Sequence, residues 1–388
     1  MTRQDEHDHY LKAVTELGDA EPVVSTEAIY STRGIKLIER GVSVDSRLYE
    51  RLVRHKLKAP IERSLETENA VRPKALRALA HEIVAENALY ARLTANAVER
   101  DAIFGAFDDL LLPAPVAFKL TVARARRSEI YRHSLKVALL ALYLGARQRL
   151  SRHRLAQLCA AAVLHDLGML HIDPALLAPE RVLDPDERRH LYAHPLTGAM
   201  VLDGERAFAP EVAAAILEHH ERLDGTGYPR GLREDEISAL GRILLLAEIS
   251  AALLDKGWDS AAHRLSLILR LNRRQFDPTL VDCLLGGLQA SPDQPPPAPE
   301  PSELLPKVER LVVVFERWKR LRAESESVSA GEFAAPAAMI DERLDVFQRA
   351  LSDAGFFADQ PELLNADLGG DPRAAAELAH ILDESCWQ

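Results

Sequence analysis

EHHERLDGTGYP, residues 218–229, ends an apolar segment in two adjacent histidines and then needs special backbone at Gly225, Gly227 and Pro229 within five positions. Turn chemistry accounts for the glycines and the proline. It leaves His219 and His220 unexplained. The segment before them, VAAAIL at 212–217, has the small apolar character of a core helix. VLHDLGML, residues 163–170, repeats the arrangement: the apolar run LCAAAVL, 158–164, delivers His165 and Asp166 at its end. A buried charged pair is costly unless something neutralises it.

Working outward, eight of the fourteen histidines fall between residues 133 and 220, so the pattern extends beyond these two stretches. Glu129 and His133, in SEIYRHSLKV (128–137), are four apart and would share a helix face; alone they read as a solvated pair. His194, in YAHPLTG (192–198), precedes a proline and alone reads as structural. Together these imidazoles and carboxylates recur on four successive helical segments with no cysteine among them. Nitrogen and oxygen ligands in this mixture suit iron, manganese or zinc, and several of them suit a cluster of two or three ions. Asp166 could bridge two ions with its two oxygens.

The chain has 388 residues, 47% apolar and 28% charged, enough for two or three domains with at least one sizeable core. No run approaches 18 uncharged apolar residues, and MTRQDEHDHY lacks the apolar core of a secretion signal. A cytoplasmic protein without membrane association is the expectation. A net charge of −11 speaks against nucleic-acid binding by a diffuse basic surface. An anionic substrate would need local positive charge from arginines or metal. Cys159, Cys283 and Cys386 are scattered, with no CxxC pair, so neither a disulfide framework nor a thiolate zinc site is expected.

The pattern predicts a mostly α protein. Residues 1–112 read as a small N-terminal module, with 1–22 polar and frayed, and a short strand pair within VVSTEAIYSTRGIKLIERGVSVD (23–45). Helical patterning then dominates, with Leu76, Leu79, Ile83 and Val84 on one stripe. Residues 118–290 read as an all-α domain interrupted by loops at HIDPALLAPERVLDPDE and DGTGYPRGL. SPDQPPPAPEPSELLP, 291–306, holds seven prolines in sixteen positions and reads as a semi-rigid linker. Residues 307–388 read as a helical C-terminal region. Its VVVFERWKRL (312–321) reads first as an ordinary core stripe and second as a homodimer face.

Residues 118–285 resemble an HD-GYP domain, the branch of the HD phosphohydrolase superfamily associated with cyclic di-GMP hydrolysis. HDLGM resembles the family's HD-x-G-K motif, HHERLDGTGYP follows its HHE-x-x-D-G-x-G-Y-P motif, and QFDP (275–278) resembles the end of such domains. The resemblance implies an HD-type helical bundle. It makes His133, His165, Asp166, His194, His219 and His220 metal ligands, and Glu129 the carboxylate of members that hold a third ion. Glu248, in ILLLAEISAAL (243–253), stands where the family has an aspartate.

The implied chemistry is hydrolysis of cyclic di-GMP to pGpG or GMP by a metal-activated water, with His165 and Asp166 at its centre. Two or three divalent ions are implied, iron or manganese first and zinc next, with Gly225, Gly227 and Tyr228 lining the substrate pocket. Two departures bear on this. Met169 replaces the lysine that the family sets against the substrate phosphate, a loss of the kind that costs about 10²–10³ in rate. LLDKGWDSAAHR (253–264) stands where an RPYR-like segment is expected, with Lys256 its one basic candidate before the terminal arginine. Two further readings follow from these departures: a weak or silent metal-holding domain used for signalling, and a phosphohydrolase acting on another nucleotide or anionic phosphoester.

Overall fold

The computed structural model describes residues 5–178, 181–202, 205, 207–255, 265–266, 268–269, 272–289 and scattered positions between 306 and 320. The expected linker at 291–306 and C-terminal region at 307–388 fall almost entirely outside the described residues, and Lys256 is outside them too. The chain divides into two compact units, Met1–Ala252 with Arg274–Gly287, and Leu253–Arg273 with Leu288–Gln388. Every site residue named above lies in the first. The expected seam near residues 112–118 runs through the interior of that unit.

The protein is mostly α, as its patterning predicts, with four short strands among the described residues. The N-terminal part comprises α1 (Asp5–Ala20), α2 (Tyr49–Val53), α3 (Pro73–Glu86), α4 (Ala88–Leu93) and α5 (Ala97–Asp108). The expectation of a frayed start is overturned by α1. Tyr10, Leu11, Val14 and Leu17 are buried along one face. Their helical spacing is intact, and the surrounding acidic residues dilute only the composition.

The predicted strand pair is β2 (Ile29–Tyr30) against β3 (Lys36–Ile38), antiparallel. A second ladder joins β1 (Val24–Ser25) to β4 (Leu65–Glu66), across 40 residues of sequence that carry no local signal of pairing. In α3 the buried line is Leu76, Ala80 and Ile83. Leu79 and Val84, expected on the stripe, flank it half-buried. The helical run breaks at Asn87, whose side chain accepts the Leu89 N–H at 2.9 Å and so starts α4.

The domain that follows is built from α6 (Ala114–Arg126), α7 (Ser128–Arg147), α8 (Arg152–Leu164), α9 (Pro185–Leu191), α10 (His194–Val201), α11 (Pro210–Glu218) and α12 (Ala239–Leu254), closed by a helix over Pro278–Gln289. Helix α7 is the central element, burying Leu135, Leu139, Leu140, Leu142 and Leu144 against α8 and α5. Burying a leucine of this kind contributes roughly 1.5–3 kcal/mol. Within the stretch read as a proline-rich loop, Asp184 accepts the N–H groups of Asp186 and Glu187, each at 2.8 Å, and Glu187 returns a bond to the Asp184 N–H. This capping box starts α9, which the prolines had concealed.

The N-terminal part joins the domain through a buried polar knot. Lys119, on α6, is 3% exposed and lies 3.1 Å from Glu62, 3.4 Å from His171 Nε2 and 3.7 Å from the centroid of the Tyr10 ring. Burial pushes the Lys119 ammonium below its usual range, and Glu62 opposes that shift. Removing one partner of such a pair leaves an uncompensated buried charge, at a cost of about 3–5 kcal/mol. Glu62→Ala should therefore lower the unfolding free energy of the purified chain by that much, read as a lower midpoint in urea. Combining it with Lys119→Met should recover most of the loss. Equal midpoints for Glu62→Ala and the wild type would show that the pair contributes nothing.

Candidate metal centre

Three of the site histidines are placed by one local device, a side-chain bond back to the carbonyl three residues earlier at a helix end or turn. His165 caps α8 and donates from Nδ1 to the Ala162 carbonyl at 2.8 Å. His219 caps α11 and donates to Ile216 at 2.6 Å, and His194, the first residue of α10, donates to Leu191 at 2.8 Å. Helix C-terminal carbonyls lack an intrahelical partner, so the bonds at His165 and His219 meet a demand of the backbone. They also fix the tautomer of the neutral ring: with the proton on Nδ1, Nε2 presents a lone pair whenever it is not itself protonated.

The three Nε2 atoms converge. His194 Nε2 and His219 Nε2 are 3.3 Å apart. Asp166 Oδ1 lies 3.4 Å from the first and 3.8 Å from the second, while its Oδ2 lies 3.4 Å from His165 Nε2. Glu248, on α12, sets Oε2 at 2.9 Å from His133 Nε2 and 3.1 Å from His165 Nε2. Even so, His165 Nε2 is fully buried and satisfies no hydrogen bond of good geometry.

Burial, reinforced by neighbouring histidines, holds His219 well below the usual imidazole range and brings His220 down to about 3. Burial also lowers His194. These three rings are neutral, so the facing nitrogens of His194 and His219 are both acceptors. Burial would lower His165 as well, but Asp166 and Glu248 outweigh it and raise that ring. In return the imidazoles hold both carboxyls far below the carboxylate range despite burial. The arrangement asks for positive charge at two places. The ligand atoms of His194, His219 and His220 fall within 4.8 Å of one another, as do those of His133, His165 and Asp166.

Seven of the eight expected ligands are thus brought together: His133, His165, Asp166, His194, His219, His220 and Glu248. Glu129 is not among them. Its carboxylate is 67% exposed and accepts from Arg127 Nε at 3.1 Å. Met169 packs in an apolar cluster with Ile130, Ile172 and Leu176. Ahead of it, Gly168 allows the histidine–aspartate turn to touch α10: a Cβ there would lie 2.0 Å from the His194 carbonyl oxygen. No side chain larger than hydrogen fits without separating His194 from Asp166.

The loop carrying Gly225, Gly227 and Tyr228 is held by two carboxylates to which sequence reading gave no role. Glu221, fully buried, accepts the N–H groups of Arg230 at 2.7 Å and Leu232 at 2.9 Å. Glu218 accepts the Ser238 N–H at 2.9 Å and pairs with Arg230 at 3.2 Å. A glutamate where an apolar helix passes into a glycine-rich loop was the available signal, because such loops leave N–H groups unpaired. Gly225 adopts φ +81°, and a Cβ at Gly227 would strike the Glu221 backbone at 2.4 Å, so neither glycine is replaceable at its position. Tyr228 stacks on His220, with ring centroids 4.7 Å apart, and on Tyr192, 4.0 Å apart. Tyr192 also escaped the sequence reading.

Residues 118–280 match the HD domain family. Over 150 residues the chain is 34% identical to a cyclic di-GMP phosphodiesterase of Pseudomonas aeruginosa, covering 37% of this chain and 36% of that one. Over 133 residues it is 38% identical to the cyclic di-GMP phosphodiesterase response regulator RpfG of Xanthomonas campestris, covering 33% and 35%. Over 200 residues it is 31% identical to the 3'3'-cGAMP-specific phosphodiesterase 3 of Vibrio cholerae, covering 50% and 43%. The chain therefore spans well under half the length of these relatives. Among solved structures it is similar to an HDG"Y"P protein of Bdellovibrio bacteriovorus, at 17% identity and a TM-score of 0.40, covering 69% of this chain and 95% of that one.

Metal content tests the geometry directly. Protein reconstituted with manganese or iron without oxygen should hold about two ions by elemental analysis, the number of ligand groups the structure presents. His219→Ala should lose about one. Glu129→Ala should lose none, and a loss equal to that of His219→Ala would place Glu129 in the centre.

Proposed function

We propose, from the premise that residues 118–280 are an HD domain bearing the HD-GYP motifs, that the chain is a metal-dependent phosphodiesterase acting on cyclic di-GMP. One observation carries the proposal: buried imidazole nitrogens whose protons are committed to backbone carbonyls face one another and two carboxylates. Without a cation the facing nitrogens of His194 and His219 repel. The donor set, all nitrogen and oxygen, fits iron or manganese first and zinc next.

His133, His165, Glu248 and one oxygen of Asp166 would hold one ion; His194, His219, His220 and its other oxygen would hold the second. When bound, such ions supply Lewis-acid charge and lower the pKa of a coordinated water toward neutrality. The rest of the work belongs to the chain. The Nδ1–carbonyl bonds keep the ligand rings aimed, so that no reorganisation is needed during the reaction. Glu221 and Glu218 pin the loop that sets Tyr228 beside His220. Burial pushes the Tyr228 hydroxyl far above its usual range, so it stays protonated and can only donate to an anionic ester.

Cleavage of one phosphodiester bond in cyclic di-GMP gives linear pGpG, and cleavage of the second gives GMP. A cytoplasmic location accompanies this reading. Among the described residues no helix is long and apolar enough to cross a membrane. A relative whose name specifies 3'3'-cGAMP makes that dinucleotide the second substrate to compare.

Purified chain loaded with iron or manganese should convert cyclic di-GMP to linear product. Asp166→Ala should reduce turnover by about a thousandfold or more, because it removes the group between both ligand sets. No turnover of any cyclic dinucleotide by protein shown to hold metal would refute the proposal. Met169→Lys is the second arm. The side chain at 169 is only 8% exposed and touches an apolar cluster, so an ammonium there meets apolar neighbours before it meets substrate. The variant should lose about 1–3 kcal/mol of stability and gain no more than about threefold in rate. A gain near a hundredfold would show that the missing lysine was what limited the enzyme.

A further inference from the structure

Three aromatic rings form a continuous stack from the candidate metal centre to the surface. His220 lies in one ligand group, Tyr228 stacks on it at 4.7 Å and 25°, and Tyr192 stacks on Tyr228 at 4.0 Å and 4°. Tyr228 is half-buried between its neighbours, whereas Tyr192 remains 40% exposed. With one face of Tyr192 against Tyr228, the exposed area belongs to its edges and its outer face. An aromatic ring left in water beside a polar, metal-binding site contributes nothing to the core it has failed to enter.

Both outer rings are tied to ligands by short stretches of chain. Tyr192 ends α9, its N–H donating to the Arg188 carbonyl at 2.9 Å, and stands two residues before His194. The Tyr228 N–H donates to the His220 carbonyl at 3.0 Å. The stack is therefore fixed relative to both His194 and His220, so its outer face keeps a set distance from the centre. A rigid flat surface at a set distance from a phosphate-cleaving site suits a planar ring attached to that phosphate.

We infer that the outer face of Tyr192 is a base-stacking platform, the specificity-determining residue that receives one purine of a cyclic dinucleotide while its phosphodiester lies over the metal ligands. The inference rests on the phosphodiesterase reading and narrows it to substrates with a flat base. In a cyclic dinucleotide the two bases project from opposite edges of the sugar–phosphate ring, so one stands well clear of the phosphate being cut. Stacking on a π-face tolerates either purine, so the platform distinguishes base-bearing esters from others and leaves guanine against adenine to other contacts.

The test compares Tyr192→Ala, Tyr192→Phe and Tyr192→Trp in the full, metal-loaded chain. Tyr192→Ala should raise KM for cyclic di-GMP, and Kd for its slowly cleaved phosphorothioate analogue, about tenfold while kcat changes less than about twofold. Phenylalanine should restore wild-type values, since the face and not the hydroxyl is used, and tryptophan should match or lower them. Hydrolysis of glycerophosphoethanolamine, a phosphodiester with no flat ring, should change by less than about twofold in Tyr192→Ala. An unaltered KM and Kd for cyclic di-GMP in Tyr192→Ala would overturn the inference and leave the proposed function standing. Equal losses on both substrates would also overturn it, by showing that Tyr192 merely holds the site together. Failure of the loaded wild type to bind or cleave any cyclic dinucleotide would remove both.

Discussion

The site depends on where three imidazole protons are. Each of His165, His194 and His219 commits its Nδ1 proton to the carbonyl three residues before it; in the neutral rings of His194 and His219 this leaves Nε2 as an acceptor in a buried space, whereas Asp166 and Glu248 favour the charged ring of His165. A histidine free to choose its tautomer could bond to the neighbouring carboxylates and form an ordinary polar core. Here two acceptors stand 3.3 Å apart, and the buried Nε2 of His165 beside them makes no hydrogen bond of good geometry. Low local dielectric makes that unfavourable in proportion to its burial. The helix ends that satisfy their own backbone by these bonds create the electrostatic demand that a cation meets.

Rigid contacts keep that demand from relaxing. The turn after Asp166 can lie against α10 only because Gly168 has no Cβ, and the loop after His220 folds over Glu221 only because Gly227 has none. Glu221 gives up both oxygens to loop N–H groups and is unavailable as a ligand in spite of its place beside His220. The same turn ends at His171, which meets Lys119 and Tyr10 in the knot that joins the N-terminal part to the domain. From Asp166 to that knot is five residues, so the first ligand turn is braced on both sides.

Much of this was legible because each of His165, His219 and His220 follows an apolar helical run, and sequence shows where such a run ends. Burial, helix polarity and ligand chemistry all follow from that one feature. Glu129 shows where legibility stops. Spacing of four residues places it on the face of His133, yet spacing cannot weigh Arg127, two positions away, against a metal. In the N-terminal part the helix α1 was hidden because composition was read in place of period, and the β1–β4 ladder because its partners are 40 residues apart. Tyr192 carried no local signal, since its meaning lies in a stack with Tyr228 that only the fold assembles.

The position of Glu129 bears on the lysine that residue 169 lacks. The convergent ligands include two carboxylates, Asp166 and Glu248, and four histidines plus His220, of which burial keeps His194, His219 and His220 neutral. Two divalent ions, were they held by two carboxylates and neutral imidazoles, would leave a formal excess of two positive charges at the site. Were Glu129 to join them, that excess would fall to one. By pairing with Glu129 at 3.1 Å, Arg127 would keep that carboxylate away from the ligands and preserve the larger charge. Met169 can then serve packing, filling the cluster of Ile130, Ile172 and Leu176 that supports the turn from beneath.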